Sequence, residues 1–468
     1  MSDAQAAKPE KSDPYRATLN LPVTNFAMKA NLAIKEPQIQ ERWSKHALYE
    51  KLRERESPRG PFVFHDGPPY ANGPIHIGHL LNKILKDLVV RSHVMRGFDV
   101  DYVPGWDCHG LPIEHKVLKD LGAKARELST IEVRKLCHDS AASFIGIQAT
   151  QMQRLGTLAN YAHPYRTMDP QFEAATLEVF ALLVERQLVY RDLKPVHWSI
   201  ANRTALADAE LEYKDRTDPS IYAMFPVVSG LPASLNATCP VDLMIWTTTP
   251  WTLPANLAVA VAPSGCYGLY EIPFNGSHRQ VVLVEQLHAK VLAAGGVTEF
   301  KKLGECSGTD LTSVVYKHPF IERTSPVLTA DYVTFEDGTG LVHTAPGHGV
   351  EDYQTGLRNK LAIYCPVLAN GTYDDTVPAW LRAPGIDVWK ANPLVIDQLR
   401  ASGHLFHWFE FTHSYPHDWR SKTPVIFRAT EQWFIGVDKP FALAEAGAEG
   451  AEFRGSAGSM RERALQAA

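Results

Sequence analysis

The sequence is poor in the features that mark secreted, membrane-spanning and metal-bound proteins. Its 468 residues include six cysteines, no two of which lie within four residues of each other, so it contains neither a disulfide framework nor a CxxC zinc motif. No stretch reaches the ~18 uninterrupted apolar residues of a transmembrane helix, and the amino-terminal residues lack an apolar core behind basic ones. We therefore expect a soluble protein of a reducing compartment, most simply the cytoplasm, with no membrane partner.

A strong net charge is also missing. The formal net charge is -5 and the sequence pI is about 6.4, so there is no global basic field and a nucleic-acid partner would have to bind a local patch. The hydrophobic content of 45% and charged content of 21% are those of a globular chain. At this length, more than one domain is expected.

Changes in composition and residue pattern divide the sequence into four segments. A polar leader and an amphipathic helix, with Ile39 and Trp43 on its apolar face, occupy residues 1–56. Residues 57–194 have the pattern of an α/β half-domain, with long helical stretches between 127 and 191. Short β-branched and aromatic runs, such as 243–249, 281–284 and 327–335, alternate with turn residues across 195–405 and predict an inserted β-rich domain. Residues 406–468 return to the first domain, and their Ala- and Gly-rich end from 442 is compatible with a frayed helix or disorder.

The first α/β unit is predicted from strand, loop and helix signals in sequence. The apolar run 62–64 predicts a buried strand that ends in the loop Asp66-Gly67-Pro68-Pro69, and residues 100–103 predict a second strand. Between them a helix begins near His76, with an apolar face formed by Ile77, Leu81, Ile84, Leu88 and Met95 and with Lys83, Lys86 and Arg91 elsewhere on its surface. Strand, loop, helix and strand form one half of a parallel α/β nucleotide fold.

Two histidines at the start of this helix are candidate catalytic residues. The first N–H groups of a helix have no partner within it and attract anions, and residues three apart share a face, so His76 and His79 can direct two imidazole donors at one phosphate. An isolated HxxH is more often a core pair or a metal pair. The preceding strand and the Pro/Gly loop favour chemistry.

The motif around these histidines resembles that of a known family. His76-Ile77-Gly78-His79 resembles the HIGH signature of class I aminoacyl-tRNA synthetases, and the runs Asp66–Gly73 and Pro104–Glu114 are similar to those of the isoleucine-specific members. The similarity extends from about Tyr15 to Phe434. It implies an α/β fold in which a Rossmann-like nucleotide-binding half-domain carries a large β-rich editing insertion.

The resemblance implies roles for residues of the first half-domain. His76, Gly78 and His79 are the expected catalytic residues, and Pro68 and Asp107 would bind isoleucine, through its side chain and its α-ammonium respectively. Without the resemblance, Asp107 would be assigned to a turn or cap, and Cys108 and His109 receive no role beyond packing. ATP, accompanied by Mg²⁺, would be bound by Pro69, Tyr70, Ala71, Asn72, Gly73, Pro74, Ile75, His76, Ile77, Gly78 and His79.

The insertion is expected to hold a second, hydrolytic site. An apolar pocket distinguishes isoleucine from valine by only ~1–3 kcal/mol, a limit for which isoleucine enzymes are themselves the standard example. A threonine run is usually just a sign of β-propensity. By resemblance to the family's editing pocket, however, valine attached to tRNA would be hydrolysed among Thr247, Thr248, Thr249, Asn256, His343 and Asp352. Asp352 would hold the α-ammonium, a water would be the nucleophile, and Glu351 is expected to be solvated.

The sequence departs from the family in two respects. The KMSKS signature is absent, as are a second half of the α/β sheet and an anticodon-binding domain, so the chain resembles the front half of a longer enzyme that is monomeric when complete. Where relatives often carry zinc-binding cysteines, residues 198–202 and 417–421 offer Ser, Asn and Asp, so no zinc or other metal site is expected. Three hypotheses remain: an isoleucine–tRNA ligase that acts on tRNA(Ile), a stand-alone hydrolase for Val-tRNA(Ile), and an inactive fragment.

Overall fold

The chain folds into two compact units, Met1–Glu185 and Arg186–Ala468. The computed structural model describes residue 15, residues 18–20, residue 25, residues 29–441 and residues 458–468. None of the helices in these ranges combines the length and the apolar content needed to cross a bilayer. The predicted segment boundaries near residues 56, 194 and 405 stay predictions.

The first unit is mainly helical. Its helices are α1 (Leu32–Lys45), α2 (Leu48–Glu54), α3 (Ile77–Met95), α4 (Leu111–Leu121), α5 (Thr130–Arg154) and α6 (Pro170–Glu185). Two short strands, β1 (Gly105–Trp106) and β2 (Tyr165–Arg166), pair in parallel. The amphipathic helix expected before residue 56 is divided into α1 and α2 by Ala47, which has a positive φ of 48°. The helical pattern expected between residues 127 and 191 corresponds to α5 and α6, separated by β2.

The two strands predicted near residues 62 and 100 are wrong. The chain there forms only a single parallel bridge between Pro61 and Asp99, and the strand that follows begins at Gly105. Val63 is 88% exposed, so the run 62–64 is not buried. Its two phenylalanines pack on one side, where the ring of Phe64 meets that of Tyr102 edge-on at 5.4 Å. Prolines at 61, 68, 69 and 104 lack N–H donors, which prevents a continuous ladder.

The predicted apolar face of α3 is also wrong. Four of its five members are exposed, with relative accessibilities between 59% and 80%: Ile77, Leu81, Leu88 and Met95. The buried residues are Lys83, Val90 and Val94, which share the opposite face. Lys83 forms an ion pair with the buried carboxylate of Asp66. This pair determines which side of the helix faces inward, because an unpaired buried carboxylate would be costly.

The second unit is built on a large mixed sheet. Its elements are β3 (Val189–Ser199), β4 (Thr204–Leu206), β5 (Leu211–Ser229), β6 (Val241–Thr247), β7 (Ala258–Val261), β8 (Cys266–Phe274), β9 (Ser277–Val284), α7 (His288–Ala294), β10 (Lys301–Ser307), β11 (Val315–Lys317), β12 (Thr324–Thr329), β13 (Leu341–Thr344), α8 (Val350–Arg358), α9 (Val388–Ala401), β14 (Leu405–Asp418), β15 (Ile426–Ile435) and α10 (Met460–Ala467). The strand order is β10-β8-β9-β6-β13-β7-β12-β11-β5-β14, and β15, β3 and β4 form a separate sheet.

Part of the large sheet closes on itself. Because β5 also pairs with β6, strands β6, β13, β7, β12, β11 and β5 form a ring. Large side chains without solvent exposure, such as Phe225 and Leu243, belong to the core of this unit. The β-rich texture predicted for this region is confirmed, although the run 327–335 is a strand only as far as Thr329. At the end of the chain α10 is helical, while residues 442–457 lie outside the described ranges.

Candidate functional sites

The two histidines of the HIGH motif cap the start of α3. His76 is the N-cap residue, and its Nδ1 accepts a hydrogen bond of 3.1 Å from the N–H of Gly78. The Nδ1 of His79 accepts in turn from the N–H of His76 at 3.2 Å. Both Nδ1 atoms act as acceptors, so each neutral imidazole carries its proton on Nε2. Burial, followed by the electrostatic effects of the neighbouring His76 and Lys83, lowers the pKa of His79.

The loop before α3 lies directly beside Asp107. Ala71 donates its N–H to the Asp107 carbonyl at 3.0 Å, and Asp107 donates its own N–H to the carbonyl of Pro69 at 2.9 Å. These bonds form a parallel bridge between Tyr70 and Asp107. The structure therefore brings the loop that precedes the histidines together with the aspartate predicted to bind the substrate ammonium.

A glutamine of α5 anchors the other side of this loop. The Gln148 side chain is fully buried, and its Nε2 donates to the carbonyls of Tyr70 at 3.0 Å and Gly73 at 2.7 Å. Its Oε1 accepts from Nε1 of Trp106 at 3.0 Å. One turn further on, Gln151 accepts the N–H of Ile75 at 2.9 Å. Two glutamines of one helix thus determine the course of the predicted nucleotide loop.

Beneath the loop lies a buried charge cluster. Asp66 forms ion pairs with Lys83 and Lys86 and accepts a hydrogen bond from the Tyr102 hydroxyl. Burial alone would raise the pKa of Asp66, but the hydrogen bonds from the two lysines and the tyrosine outweigh it and hold the pKa below its usual value. Asp66 is therefore ionised at neutral pH and holds the start of the loop against α3. Beside Asp107, burial raises the pKa of the Cys108 thiol, consistent with a packing role.

The second site is a cavity of about 310 Å³ in the β-rich unit. Its wall contains the predicted residues Thr247, Thr248, Thr249, His343 and Asp352, and also Trp246, Thr252 and Tyr332. The hydroxyls of Thr247 and Thr249 are 3.2 Å apart, and Thr249 donates its N–H to the Thr247 hydroxyl at 3.1 Å. Gly338, with φ +82°, is required at the wall, because a Cβ atom there would lie 2.8 Å from the Trp246 ring.

The carboxylate of Asp352 is in the first turn of α8 and is turned toward this cavity. It accepts the N–H of Ala345 at 2.8 Å and the hydroxyl of Tyr332 at 3.4 Å. Burial raises its pKa to about 6, against the opposing effect of the Ala345 N–H. A partly desolvated carboxylate with free acceptor capacity suits an ammonium group. Glu351 is exposed, as predicted.

His343 is held from both sides. Its Nδ1 accepts from Nδ2 of Asn256 at 2.9 Å, and its Nε2 lies 2.9 Å from the hydroxyl of Thr252. Burial lowers the pKa of His343 to about 3. The ring is therefore neutral, and neither nitrogen is available as a base. Asn256 does not line the cavity but lies behind His343.

Residues 198–202 and 417–421, where no zinc site was expected, meet around Asp418. Its carboxylate accepts from the Ser199 hydroxyl at 2.7 Å, the Asn202 amide at 2.6 Å and the Ser421 hydroxyl at 2.9 Å. Arg420 adds its N–H at 2.8 Å. In the ranges that the structure describes, no three His, Cys, Asp or Glu side chains are grouped as metal ligands. The contact between the two stretches is a hydrogen-bond network.

Comparison with known proteins identifies the family. The profile described as tRNA synthetases class I (I, L, M and V) matches residues 38–456. This chain belongs to the class I tRNA synthetases. The predicted fold class, a Rossmann-like half-domain with a large β-rich insertion, is thereby confirmed.

Relatives of this synthetase bear out the resemblance to the isoleucine-specific members. Isoleucine–tRNA ligases of Nitrosococcus oceani and Fervidobacterium pennivorans are each 46% identical over 91% of this chain, which covers 46% and 45% of their lengths. That of Xylella fastidiosa is 45% identical over 92% of the chain and is covered to 47%. The chain spans about half the length of these curated relatives. Among solved structures, a leucyl-tRNA synthetase of Agrobacterium radiobacter in complex with tRNA and LeuAMS aligns with TM-score 0.34 and 16% identity over 94% of this chain and 56% of its own.

Several residues of both sites in this synthetase were not identified from sequence. Gln148 and Gln151 follow each other at helical spacing on α5, but nothing local marks them as loop anchors. Lys83 was placed on the surface of α3 because it falls away from the apolar positions that recur at helical spacing. Around the cavity, Tyr332 and Thr252 were missed, although Thr252 lies in sequence between the predicted residues Thr249 and Asn256. For Lys83 and Thr252 the only sequence signal was proximity to a recognised motif, and Gln148 and Gln151 had none.

Proposed function

We propose that this chain forms the amino-terminal half of an isoleucine–tRNA ligase, which activates isoleucine with ATP and transfers it to tRNA(Ile). The observation that carries this proposal is identity of 45–46% with isoleucine–tRNA ligases over more than nine-tenths of the chain. Magnesium would accompany ATP. The expected location is the cytoplasm, and the complete enzyme would be a monomer.

The first unit supplies the groups that activation requires. The carboxylate of isoleucine attacks the α-phosphorus of ATP, the bond to pyrophosphate breaks, and negative charge grows on the phosphate oxygens. The Nε2–H groups of His76 and His79, whose rings are 4.0 Å apart, are the proposed donors to this charge. Asp107 would bind the α-ammonium and Pro68 the side chain. The bridge between Tyr70 and Asp107 supports a common placement of nucleotide and amino acid.

The second unit supplies the proposed editing site. A water attacks the carbonyl carbon of valine esterified to tRNA(Ile), the bond to the ribose oxygen breaks, and that oxygen takes the proton, which releases valine and tRNA. Asp352 would anchor the α-ammonium and the hydroxyls of Thr248 and Thr249 would orient substrate and water. Valyl-adenylate is the alternative substrate. No protein nucleophile is required, because the water is positioned by several polar groups.

A second candidate function is hydrolysis of Val-tRNA(Ile) by this chain alone. It is favoured by the position of the cavity, whose lining from Trp246 to Asp352 belongs entirely to the second unit. The KMSKS signature is absent from the sequence, and activation of isoleucine depends on it in the family. The third possibility is an inactive fragment.

Isoleucine-dependent exchange of pyrophosphate into ATP tests activation. Exchange by the chain that is abolished in His79→Ala would support the ligase activity of this polypeptide. Exchange only after addition of a polypeptide that contains KMSKS would assign activation to the pair. If exchange is absent both with the chain alone and after addition of the second polypeptide, the proposed activation of isoleucine is contradicted.

Release of valine from Val-tRNA(Ile) tests editing. We expect hydrolysis that Asp352→Ala reduces at least a hundredfold, on the scale of lost positioning. Glu351→Ala is the matched control, since the neighbouring carboxylate is exposed, and it should retain the rate. Equal effects of both substitutions, or no hydrolysis by the unsubstituted chain, would contradict the assignment.

A further inference from the structure

Behind the threonine cavity, hydrogen bonds link a buried tyrosine to the cavity wall. The Tyr316 hydroxyl donates to Oδ1 of Asn256 at 2.6 Å, and Nδ2 of Asn256 lies 2.9 Å from Nδ1 of His343. Nε2 of His343 lies 2.9 Å from the Thr252 hydroxyl, which donates to the carbonyl of Thr249 at 2.8 Å. Tyr316 and Asn256 have no solvent exposure.

The donors and acceptors between Tyr316 and His343 can be assigned from the contacts of Asn256. Nδ2 of Asn256 also contacts the carbonyl of Ala258 at 2.9 Å. A carbonyl can only accept, so the nitrogen of the amide must lie on that side and its oxygen must face Tyr316. The second hydrogen of this nitrogen then points at His343, whose Nδ1 has to accept it.

The remaining protons follow from this assignment. Because Nδ1 of His343 accepts, the proton of the neutral ring is on Nε2 and is donated to Thr252. The hydroxyl hydrogen of Thr252 is used on the Thr249 carbonyl, so its oxygen can only accept from Thr249, whose hydroxyl is 3.3 Å away. The Thr247 hydroxyl, 3.2 Å from that of Thr249, is a second neighbour in the wall. A hydrogen that Thr249 donates to either neighbour stays within the wall, and the Thr249 oxygen is then left to the cavity as an acceptor.

We propose that Tyr316, Asn256 and Thr252 are positioning residues of the cavity, which fix the tautomer of His343 and thereby turn the Thr249 oxygen toward the substrate as an acceptor. This inference rests on the proposed editing function. The acceptor would take a hydrogen of the attacking water and hold its lone pair toward the ester carbonyl. His343 is in this scheme an uncharged link and transfers no proton.

The tautomer itself can be observed without any activity. In the chain with ¹⁵N-labelled histidine, long-range proton–nitrogen correlation spectra, assigned by comparison with His343→Gln, should show His343 protonated on Nε2 alone. Asn256→Asp replaces the donor by an acceptor of the same shape, and we expect the His343 proton to appear on Nδ1. An Nδ1–H or doubly protonated ring in the unsubstituted chain would overturn the proposal, as would an unchanged tautomer in Asn256→Asp.

The link to hydrolysis is tested at Thr252, where the fold is less at risk. Thr252→Val removes the hydroxyl, and we expect kcat for Val-tRNA(Ile) to fall on the order of tenfold to a hundredfold with KM unchanged. Thr252→Ser restores the hydroxyl and should recover most of kcat. Thr312→Val is the matched control, because the exposed Thr312 hydroxyl also donates to the carbonyl three residues before it, at 2.7 Å, but does not line the cavity.

The outcomes separate this inference from the proposed function. Equal kcat for the valine and serine variants at Thr252 would overturn the positioning role. An unsubstituted chain that does not hydrolyse Val-tRNA(Ile) would contradict the editing function and with it the role in hydrolysis. Even then, the spectrum of His343 would decide whether the hydrogen bonds from Tyr316 through Asn256 fix its tautomer.

Discussion

At the scale of single residues, Asp352 shows how a binding group can weaken the fold. Its carboxyl is turned toward a cavity where few donors offset the loss of water, and burial raises its pKa to about 6. An aspartate ordinarily titrates near 3.9. The folded protein therefore binds a proton here more tightly than the unfolded chain, and ionisation at neutral pH opposes folding.

Asp352→Asn should accordingly stabilise the protein while abolishing hydrolysis of Val-tRNA(Ile). At about pH 7 we expect the free energy of unfolding to rise by roughly 1–3 kcal/mol, because the neutral amide avoids a buried charge. The gain should disappear as the pH falls below about 4, where the carboxyl is protonated in both states. Urea unfolding at several pH values measures it, and a gain independent of pH would contradict the raised pKa.

The pKa of Asp418 is shifted in the opposite direction from that of Asp352. Although burial alone would raise its pKa, hydrogen bonds from Ser199, the Arg420 N–H, Ser421 and Asn202 hold the pKa below its usual value. The ionised group thus stabilises the fold at pH values above the ordinary aspartate pKa of about 3.9, and this contribution is lost as the pH falls through the lower folded value. The same carboxylate joins residues 198–202 to residues 417–421.

Asp418→Ala should destabilise the second unit by about 2–4 kcal/mol at neutral pH, since it removes the acceptor of four hydrogen bonds, one of them from the buried Ser199 hydroxyl. Urea unfolding near pH 7 and near pH 3 measures the loss, which should be smaller in acid. Treatment of the unsubstituted protein with a metal chelator should leave its thermal midpoint unchanged. A chelator-sensitive midpoint would mean that a metal, and not this network, joins the two stretches.

At the scale of elements, α3 is oriented by charge more than by its apolar residues. The ion pair between Lys83 and Asp66 lies on the same face as Val90 and Val94, while Leu81 and Leu85 are 61% and 55% exposed. Apolar periodicity alone would have placed the leucines inward. The helix therefore presents leucines to solvent in the described structure and buries a lysine.

Substitutions on the two faces of α3 should differ in their effect on the free energy of unfolding. Leu81→Glu and Leu85→Glu are expected to change the free energy of unfolding by less than about 0.5 kcal/mol, because these side chains are largely exposed. Val90→Ala should cost about 2 kcal/mol, because it opens a space in a packed core. Thermal melts of the intact chain compare them. A large loss with the leucine variants would indicate that this face is covered in solution.

The loop before α3 depends on a second element, α5. Gln148 holds the carbonyls of Tyr70 and Gly73, and Gln151 holds the N–H of Ile75. A loop rich in proline and glycine has few hydrogen bonds of its own. Its conformation is consequently supplied by a helix more than seventy residues away in sequence.

Gln148→Ala should loosen this loop. We expect hydrogen exchange in peptides that cover residues 69–77 to accelerate at least tenfold, the scale of a lost buried hydrogen bond of about 1.4 kcal/mol. Peptides of α4 should be unaffected. Gln153→Ala, at an exposed position of the same helix, is the control, and similar acceleration in both variants would point to a general weakening of α5.

At the scale of the whole molecule, each unit has its own hydrophobic core. The large cluster that includes Phe225 and Leu243 lies in the second unit, and two smaller clusters around Trp106 and Val90 lie in the first. A domain with its own core can fold alone. The proposed editing cavity is contained in one such unit.

Residues 186–468 expressed alone should therefore fold and retain the cavity. We expect one cooperative thermal transition, with the midpoint within about 3 °C of the corresponding transition in the intact chain. Circular dichroism and calorimetry measure it. A disordered product, or a midpoint far below that of the intact chain, would show that the second unit depends on the first.

The sequence by itself determined the family and the helix that begins at the paired histidines. Such features are local: a capping pattern, a turn signal or a motif acts over a few residues. The prediction that Asp107 lies near the histidine loop also agrees with the bridge to Tyr70, although the roles assigned to these residues stay predictions.

Only the tertiary structure decided which face of α3 is buried, that Gln148 anchors the loop, and that Tyr316 lies behind Asn256. Gln148 is 78 residues from Tyr70, and Tyr316 is 60 residues from Asn256. A buried polar group accepts whichever partner the fold brings within hydrogen-bond distance, and that choice depends on sheet closure and helix placement. Periodicity and local spacing carry no information about such partners.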